Sequence, residues 1–257
     1  MKLCVLVKQV PGSESALRIA PSNTWIEDAA ALFEMNESDN YALEEALQIK
    51  ESLGNDSEVV VVSLGPERVQ KVIREALAKG ANRGIHINEM PEIKSDPFAT
   101  AQVFANVIKD ENFDIIFSGL QSDDVGSGQT GVLLGEMLGM ATATLVMATE
   151  VQEGSIKVKR ELESGWFQWV YMSTPASITI QSGINQPRYP SLKGIMGAKK
   201  KEIKVVDQST VATVEKQQSF ANIYLPTADK KTEMIEGNMD QMVSRLVDVL
   251  KTEIKVL

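Results

Sequence analysis

The sequence predicts an α/β protein: a parallel sheet with helices on its faces, an antiparallel extension of that sheet, and a C-terminal arm. The β-branched run within Glu58–Gly65 is typical of a strand buried on both faces. Up to Leu138, short strand-like runs alternate with helix-like segments, which favours a parallel sheet covered by helices. After Thr142, four strand-like segments follow without helices between them.

The first half supplies the parallel sheet. Asn40–Lys50 has a helical apolar stripe for which Ser38 or Asp39 is the expected N-cap, and Gly80 is expected to end a later helix. Ligands of parallel sheets bind beyond the carboxyl ends of the strands, so we expect a site there. Four strands are predicted, at Lys2–Lys8, Glu58–Gly65, Arg83–Ile87 and Phe113–Phe117. Four helices are predicted, at Asn40–Lys50, Glu67–Lys79, Pro97–Lys109 and Val132–Leu138.

The second half supplies the extension and the arm. Pro187–Gly194 is predicted as a loop, and Met239–Ile254 as a last amphipathic helix. A stretch of about 20 residues without regular structure is unusual inside a compact domain. We therefore expect one domain at residues 1–205, and an arm and helix at 206–257 that pack on another subunit. The antiparallel strands are predicted at Ala143–Val151, Ser155–Glu161, Trp166–Met172 and Ala176–Gln181.

Composition excludes several classes of function. The net charge of −9 argues against a nucleic-acid partner, which would need clustered Lys and Arg. No apolar run approaches the roughly 20 residues of a membrane span, so we expect a cytoplasmic protein without membrane insertion. The chain has one cysteine, Cys4, and one histidine, His86. An internal disulfide is therefore impossible, and neither a metal site nor a histidine-based triad is expected.

The stretch SGLQSDDVGSGQTG, residues 118–131, lies between a predicted strand and a predicted helix. Its glycines let backbone N–H groups approach a phosphate, and Gln129 to Gly131 would form the N-terminus of the helix, which favours an anion. Ser127 and Thr130 are possible hydroxyl donors, while Asp123 and Asp124 would cap a helix or bind ribose hydroxyls or a bridging water. The segment matches neither GxGxxG nor GxxxxGK[ST], so spacing alone leaves open a nucleotide site or a tight glycine loop.

Several ordered segments resemble the β subunit of electron transfer flavoproteins, over about residues 1–205. They include residues 118–131, KLCVLVKQVP, MNESDNYALEEALQIKE, VVVVSLGPERVQKVIREALAKGANRGIHI, VKRELESG and INQPRYPSLKGIMGAKKKEI. The resemblance implies a heterodimer in which the α subunit carries most of the FAD. It implies that the β subunit has a Rossmann-like domain, buries a structural AMP and lays its C-terminal arm on the α subunit.

The resemblance also implies the residues that contact AMP. They lie at the ends of predicted strands and in the loop 118–131, where the residues themselves favour a nucleotide. The implied set is Leu6, Asn36, Glu37, Ser38, Asp39, Leu64, Gly119, Leu120, Gln121, Ser122, Asp123, Asp124, Val125, Gly126, Ser127, Gly128, Gln129 and Thr130.

Two further positions take roles from the resemblance. Glu161 matches a residue that faces the flavin across the subunit boundary. Pro187–Lys201 resembles a recognition loop that docks dehydrogenases, with Leu192 as its apolar anchor and lysines beside it. The implied function is electron transfer from dehydrogenases to an acceptor oxidoreductase, without catalysis by this subunit.

Two other functions are weighed against this interpretation. Electron-bifurcating relatives bind a second FAD in place of AMP and carry a loop of the type Asp-Gly-Asp-Thr-Ala-Gln-Val-Gly-Pro. The present loop lacks the Asp-Gly-Asp-Thr run and ends in Gln-Thr-Gly, which favours AMP. A stand-alone module that binds or hydrolyses ATP is the third hypothesis, and the absence of a P-loop lysine argues against it.

Overall fold

The computed structural model describes residues 1–54, 56–88, 96–207, 211, 215–226 and 232–256. The chain forms two compact units, Met1–Asn222 and Ile223–Leu257. In the first unit, the described residues place nine strands in one sheet and two in a small antiparallel pair. The strands are β1 (Lys2–Leu6), β2 (Gln9–Pro11), β3 (Phe33–Met35), β4 (Glu58–Gly65), β5 (Arg83–Asn88), β6 (Ile115–Gly119), β7 (Ala141–Gln152), β8 (Ser155–Glu161), β9 (Phe167–Ser173), β10 (Ala176–Ile180) and β11 (Ile203–Val206).

The large sheet has the strand order β11-β5-β4-β1-β6-β10-β7-β8-β9. All neighbours from β11 to β7 are parallel, whereas β7, β8 and β9 pair in antiparallel fashion. The predicted α/β class, with a parallel sheet and an antiparallel extension, is therefore confirmed. The chain moves from β1 to β4 on one side and later reaches β6 on the other, so the order of strands reverses beside β1. A crevice at the carboxyl ends of the strands is expected at such a reversal.

Helices cover both faces of the parallel strands. Leu3 and Val5 of β1 pack with α1 and α2, whereas Cys4 and Leu6 pack with α3 and α4. Successive strand residues point to opposite faces, so a strand covered on both sides is mostly apolar, as the run VVVV in β4 shows. The helices are α1 (Glu37–Leu53), α2 (Gln70–Lys79), α3 (Pro97–Ile108), α4 (Thr130–Met137), α5 (Leu192–Ala198) and α6 (Met239–Asp248).

Several predicted elements in the second half are corrected by the structure. The strand β10 was expected in the antiparallel extension, but it lies between β6 and β7 and is parallel to both. All five of its residues are buried, which suits an interior strand. Part of the expected loop at Pro187–Gly194 belongs to α5, whose N-cap Ser191 accepts a hydrogen bond from the Gly194 N–H at 3.0 Å. Strand β11, at the edge of the sheet, was not expected.

The start of α1 is also corrected. The N-cap is Asn36, not Ser38 or Asp39, and both of these residues lie inside the first turn. Their side chains are occupied by other partners, because Ser38 donates to the Gln121 carbonyl and Asp39 accepts from Lys8 and Gly119. Contacts with distant loops thus decide where this helix begins.

The second unit contains α6 and a π-helical turn, Val249–Glu253. Asn238 caps α6 in a reciprocal arrangement with Gln241, with hydrogen bonds of 3.0 and 3.1 Å. Within the predicted arm 206–257, residues 208–210, 212–214, 227–231 and 257 lie outside the described residues. Across the parts of the chain that the structure describes, no helix is long and apolar enough to span a membrane.

Candidate functional site

A cleft of about 190 Å³ opens at the carboxyl edge of the sheet, where β1, β4 and β6 end. It lies at the reversal of strand order and is bordered by the start of α1 and the start of α4. Of the site residues predicted from the sequence, it brings together Leu6, Asn36, Asp39, Leu64, Gly119, Leu120, Gln121, Ser122, Asp124, Val125, Ser127, Gly128, Gln129 and Thr130.

Glu37, Ser38, Asp123 and Gly126 do not line the cleft. Three of them support its wall. The Asp123 carboxylate accepts the Glu37 N–H at 3.1 Å, so it caps the first turn of α1, one of the roles expected for it. The Ser38 hydroxyl donates to the Gln121 carbonyl at 2.8 Å. These bonds hold the loop 118–131 against α1.

Asn36 joins α1 to the same loop. Its amide Nδ2 donates to the Gln121 carbonyl at 3.0 Å, and its Oδ1 accepts the Asp123 N–H at 2.9 Å. The side chain is 1% exposed, so both bonds are shielded from water. Asn36 therefore fixes the position of the loop backbone that forms the cleft wall.

Asp39 joins the ends of two strands beneath the cleft. Its carboxylate accepts the Lys8 N–H at 2.7 Å and the Gly119 N–H at 2.9 Å. Burial raises the pKa of the Asp39 carboxyl to about 7, although both N–H donors favour the charged form. Gly119 must lack a side chain, because a Cβ there would lie 2.1 Å from the Ser38 Oγ and 2.4 Å from the Asp39 Oδ1.

Lys8 links the end of β1 to the loop. Its Nζ donates to the Asp124 Oδ1 at 2.5 Å and to the Ser122 Oγ at 3.2 Å. The Asp124 side chain is 8% exposed, so its charge needs this partner. Because Lys8 offsets the negative charge of Asp124, an anionic ligand can bind nearby.

The N-terminal end of α4 faces the cleft, and no side chain among the described residues caps it. The N-cap residue Gln129 makes no capping hydrogen bond. The first N–H groups of a helix have no acceptor within the helix, and the helix dipole adds partial positive charge there. Gly126 and Gly128 have φ angles of +65° and +62°, a conformation that glycine adopts without strain. The loop thus delivers uncapped N–H donors to the cleft, an arrangement suited to a phosphate.

Part of the cleft lining is not predicted by the sequence. It comprises Trp25, Phe33 and Arg68, among others. The Arg68 guanidinium lies 3.7 Å from the centroid of the Phe33 ring, and Trp25 stacks on Phe220 with centroids 6.0 Å apart. Trp25 lies between β2 and β3, in a segment with no helix or strand period, so no pattern in the sequence placed its ring near the strand ends.

Glu161 and Leu192 lie outside this cleft. The Glu161 Oε2, at the end of β8, accepts a hydrogen bond from the Gln181 Nε2 at 3.2 Å. Its cross-strand neighbour Phe167 is 45% exposed. Leu192, at the start of α5, is 83% exposed, and Met196 on the same helix is 73% exposed. These apolar side chains are available to a partner.

Two arginines anchor the segment that presents Leu192. The Arg188 Nε donates to the Glu44 Oε2 of α1 at 2.8 Å. The Arg74 Nη1 of α2 donates to the carbonyls of Ala198 and Lys201 at 2.7 and 2.6 Å. The helix α5 is therefore fixed to the body of the domain, while its outer apolar side chains stay exposed.

Comparison with known proteins agrees with the resemblance seen in the sequence. A family model described as "Electron transfer flavoprotein domain" matches residues 24–211. The electron transfer flavoprotein subunit beta of Methylophilus methylotrophus is 35% identical, over 97% of this chain and 98% of its own. The same subunit of Syntrophomonas wolfei is 35% identical, over 100% of this chain and 98% of its own. That of Bradyrhizobium diazoefficiens is 39% identical, over 79% of this chain and 80% of its own.

The chain belongs to the electron transfer flavoprotein β-subunit family. Electron transfer flavoproteins are electron carriers, and membership implies an α-subunit partner.

Proposed function

We propose that this chain is the β subunit of a heterodimeric electron transfer flavoprotein and binds AMP in the cleft between β1, β4 and β6. The AMP has a structural role, and the FAD is held mainly by the α subunit. The complex accepts electrons from dehydrogenases and passes them to an acceptor oxidoreductase. The subunit itself catalyses no reaction.

The observation that carries the proposal is the uncapped first turn of α4, which faces a cleft at the reversal of strand order. Phosphate oxygens fit the N–H donors there, and the glycine loop lets them approach the backbone closely. The cleft wall also has hydroxyl and amide groups that suit a ribose and a base, including those of Ser122 and Gln121. The residues present therefore fit a mononucleotide.

When bound, the FAD supplies the redox chemistry. This chain holds the nucleotide, faces the flavin and docks the dehydrogenase. Asp39 and Lys8 hold the strand ends and the loop 118–131 in the shape that receives AMP. Glu161 lies at the end of β8, where it faces the flavin from the β side of the boundary. Leu192 on α5 is the apolar anchor for a dehydrogenase, and Lys193 and Lys199 give that contact a basic rim.

The test is the nucleotide content of the αβ complex, co-expressed with its partner subunit and purified. Nucleotides released by acid are identified and counted by chromatography. We expect one AMP and one FAD per dimer. Two FAD and no AMP would contradict the proposal, and so would a complex without any nucleotide other than a single FAD.

A second candidate is the NADH-oxidising subunit of an electron-bifurcating flavoprotein, with FAD in the cleft. The cleft lining favours it, because Trp25, Phe33 and Arg68 add aromatic and cationic groups to the site. The sequence of the loop favours AMP. This candidate predicts reduction of a second flavin by NADH in the purified complex, which the carrier does not show.

A further inference from the structure

A surface segment near the end of the first unit is attached to two residues that line the cleft. This segment, residues 215–222, is called the strap; it follows β11 in the chain and has neither helix nor strand. Residues 215–219 are exposed, and Phe220 is partly buried. Because the strap has no ladder or helix to accept its backbone N–H groups, other groups must hold it in place.

The first attachment is the carboxylate of Asp96, which is 1% exposed and lines the cleft. Its Oδ1 caps α3 and accepts the N–H groups of Phe98 and Ala99 at 2.9 and 3.1 Å. Its Oδ2 accepts the N–H of Gln217 and, at 3.1 Å, that of Gln218. Burial opposes the charge, but the four N–H donors outweigh burial and hold the pKa of the carboxyl below its usual range. One buried carboxylate thus holds both the start of α3 and the strap.

The second attachment is the ring of Trp25, which lies between β2 and β3 and also lines the cleft. Phe220 stacks on it, with the ring centroids 6.0 Å apart and an angle of 16° between the planes. Gln218 and Phe220 are separated by two steps of the chain, which span about 7 Å at most. The strap therefore bridges two different walls of the cleft over a short distance.

The strap contacts the walls of the cleft and not its interior. Among the described residues that line the cleft, none belongs to the strap. Gln217 and Gln218 line a neighbouring depression, which they share with the start of α3 and with Gln129. A contact that is equally strong in the empty and the occupied cleft cannot change the affinity for a ligand. A segment across the rim acts instead on the rates at which a ligand enters and leaves.

We infer that the strap is a latch on the cleft: Asp96 and Trp25 hold it across the rim, and the nucleotide enters and leaves when it detaches. That this nucleotide is AMP rests on the proposed function. Detachment at Asp96 breaks two hydrogen bonds to a charged group, which makes the open form rare and the exchange of nucleotide slow. Asp96 is then a positioning residue for the strap.

The test uses Asp96→Asn in the αβ complex, because this change separates the two tasks of the side chain. Asparagine is as good an N-cap as aspartate, but its single oxygen cannot serve both α3 and the strap. Asp114→Asn is the matched control, since it makes the same chemical change where Asp114 accepts the Lys2 N–H, at the opposite edge of the sheet. Phe220→Ala removes the second attachment without altering the lining of the cleft.

Uptake of labelled AMP and its release into excess unlabelled AMP give the two rates. We expect Asp96→Asn to raise both rates about tenfold and to leave Kd nearly unchanged. Phe220→Ala should change both rates in the same direction, and Asp114→Asn should change neither. Damage to the wall of the cleft would instead speed release alone and weaken binding.

Hydrogen exchange of the strap amides supplies a second readout that needs no nucleotide. The N–H groups of Gln217 and Gln218 should exchange faster in Asp96→Asn than in the wild type or in Asp114→Asn. Unchanged hydrogen exchange, unchanged AMP rates, or faster release without faster uptake would each overturn the inference while the proposed function stands. A wild-type complex that binds no AMP would overturn both.

Discussion

The Asp39 carboxylate accepts the N–H of Gly119 at 2.9 Å, across 80 residues of sequence. Its other oxygen accepts the Lys8 N–H, so one buried side chain ties the end of β6 to the residues just after β1. These are the two strands between which the order of the sheet reverses. The carboxylate therefore holds these two strand ends together at the crevice in which we place the nucleotide.

Asp39→Ala should lower the free energy of unfolding by about 3 kcal/mol, because two N–H groups lose their acceptor and each costs about 1–3 kcal/mol. It should also lower the AMP content of the purified complex. Chemical denaturation and nucleotide counting measure the two effects.

Asp114→Ala is the matched control for Asp39→Ala. Asp114 accepts the Lys2 N–H at 2.6 Å at the opposite edge of the same two strands. This variant should lose stability and keep its AMP. If Asp39→Ala keeps a full complement of AMP with unchanged affinity, the carboxylate does not shape the site.

The pKa of Asp39 predicts how stability depends on pH. An aspartate in the unfolded chain has a pKa of about 3.9. Burial raises the folded-state pKa to about 7. The folded state then binds the proton more tightly, so the contribution of Asp39 is fully present below about pH 4 and is lost as the pH rises to about 7.

Comparison with Asp39→Asn isolates this effect, because the amide does not titrate in that range. The difference in unfolding free energy, wild type minus Asp39→Asn, should decrease as the pH rises from about 4 to about 7. A difference that is flat or rises with pH would show that the two N–H donors outweigh burial.

The sequence predicts the inner strands and the glycine loop well, for a physical reason. A strand covered on both faces is apolar at most positions, so β1, β4 and β6 are visible as apolar runs. The loop follows β6 directly, and its glycines indicate backbone conformations that other residues avoid. The position of the cleft follows from the edge that these strands share.

Features that depend on distant contacts could not be predicted. The sequence ASITI of β10 indicates a buried strand but not its neighbours, so its place beside β6 was missed. The N-cap Asn36 is defined by bonds to Gln121 and Asp123, more than 80 residues away. The α5 region is fixed by Arg74 and Arg188, whose partners are equally remote. Local periodicity contains no information on such pairs.

Lys8→Met should weaken AMP about tenfold. The substitution removes the tether to the loop and leaves the Asp124 carboxylate, only 8% exposed, without its cation beside the phosphate site. Displacement of labelled AMP from the complex measures the change. Adding Asp124→Asn to Lys8→Met should restore most of the affinity, since the uncompensated charge is then gone.

Lys2→Met is the control for Lys8→Met. Lys2 forms a comparable ion pair at the start of β1, with its Nζ 2.8 Å from the Glu111 Oε2, whereas Lys8 follows the end of that strand. This variant should bind AMP as the wild type does. If Lys8→Met binds AMP as tightly as the wild type does, the lysine holds the loop only in the free protein.

Leu192→Ala should slow electron transfer from a dehydrogenase about tenfold at low dehydrogenase concentration, while the αβ dimer and its FAD stay intact. A leucine that is 83% exposed on an anchored helix contributes binding energy only when a partner covers it. Stopped-flow reduction of the flavin measures the rate. Leu53→Ala, at the end of α1 and 43% exposed, is the control and should leave the rate unchanged. If both variants transfer electrons at the wild-type rate, the dehydrogenase docks elsewhere, and the exposed apolar side of α5 needs another explanation.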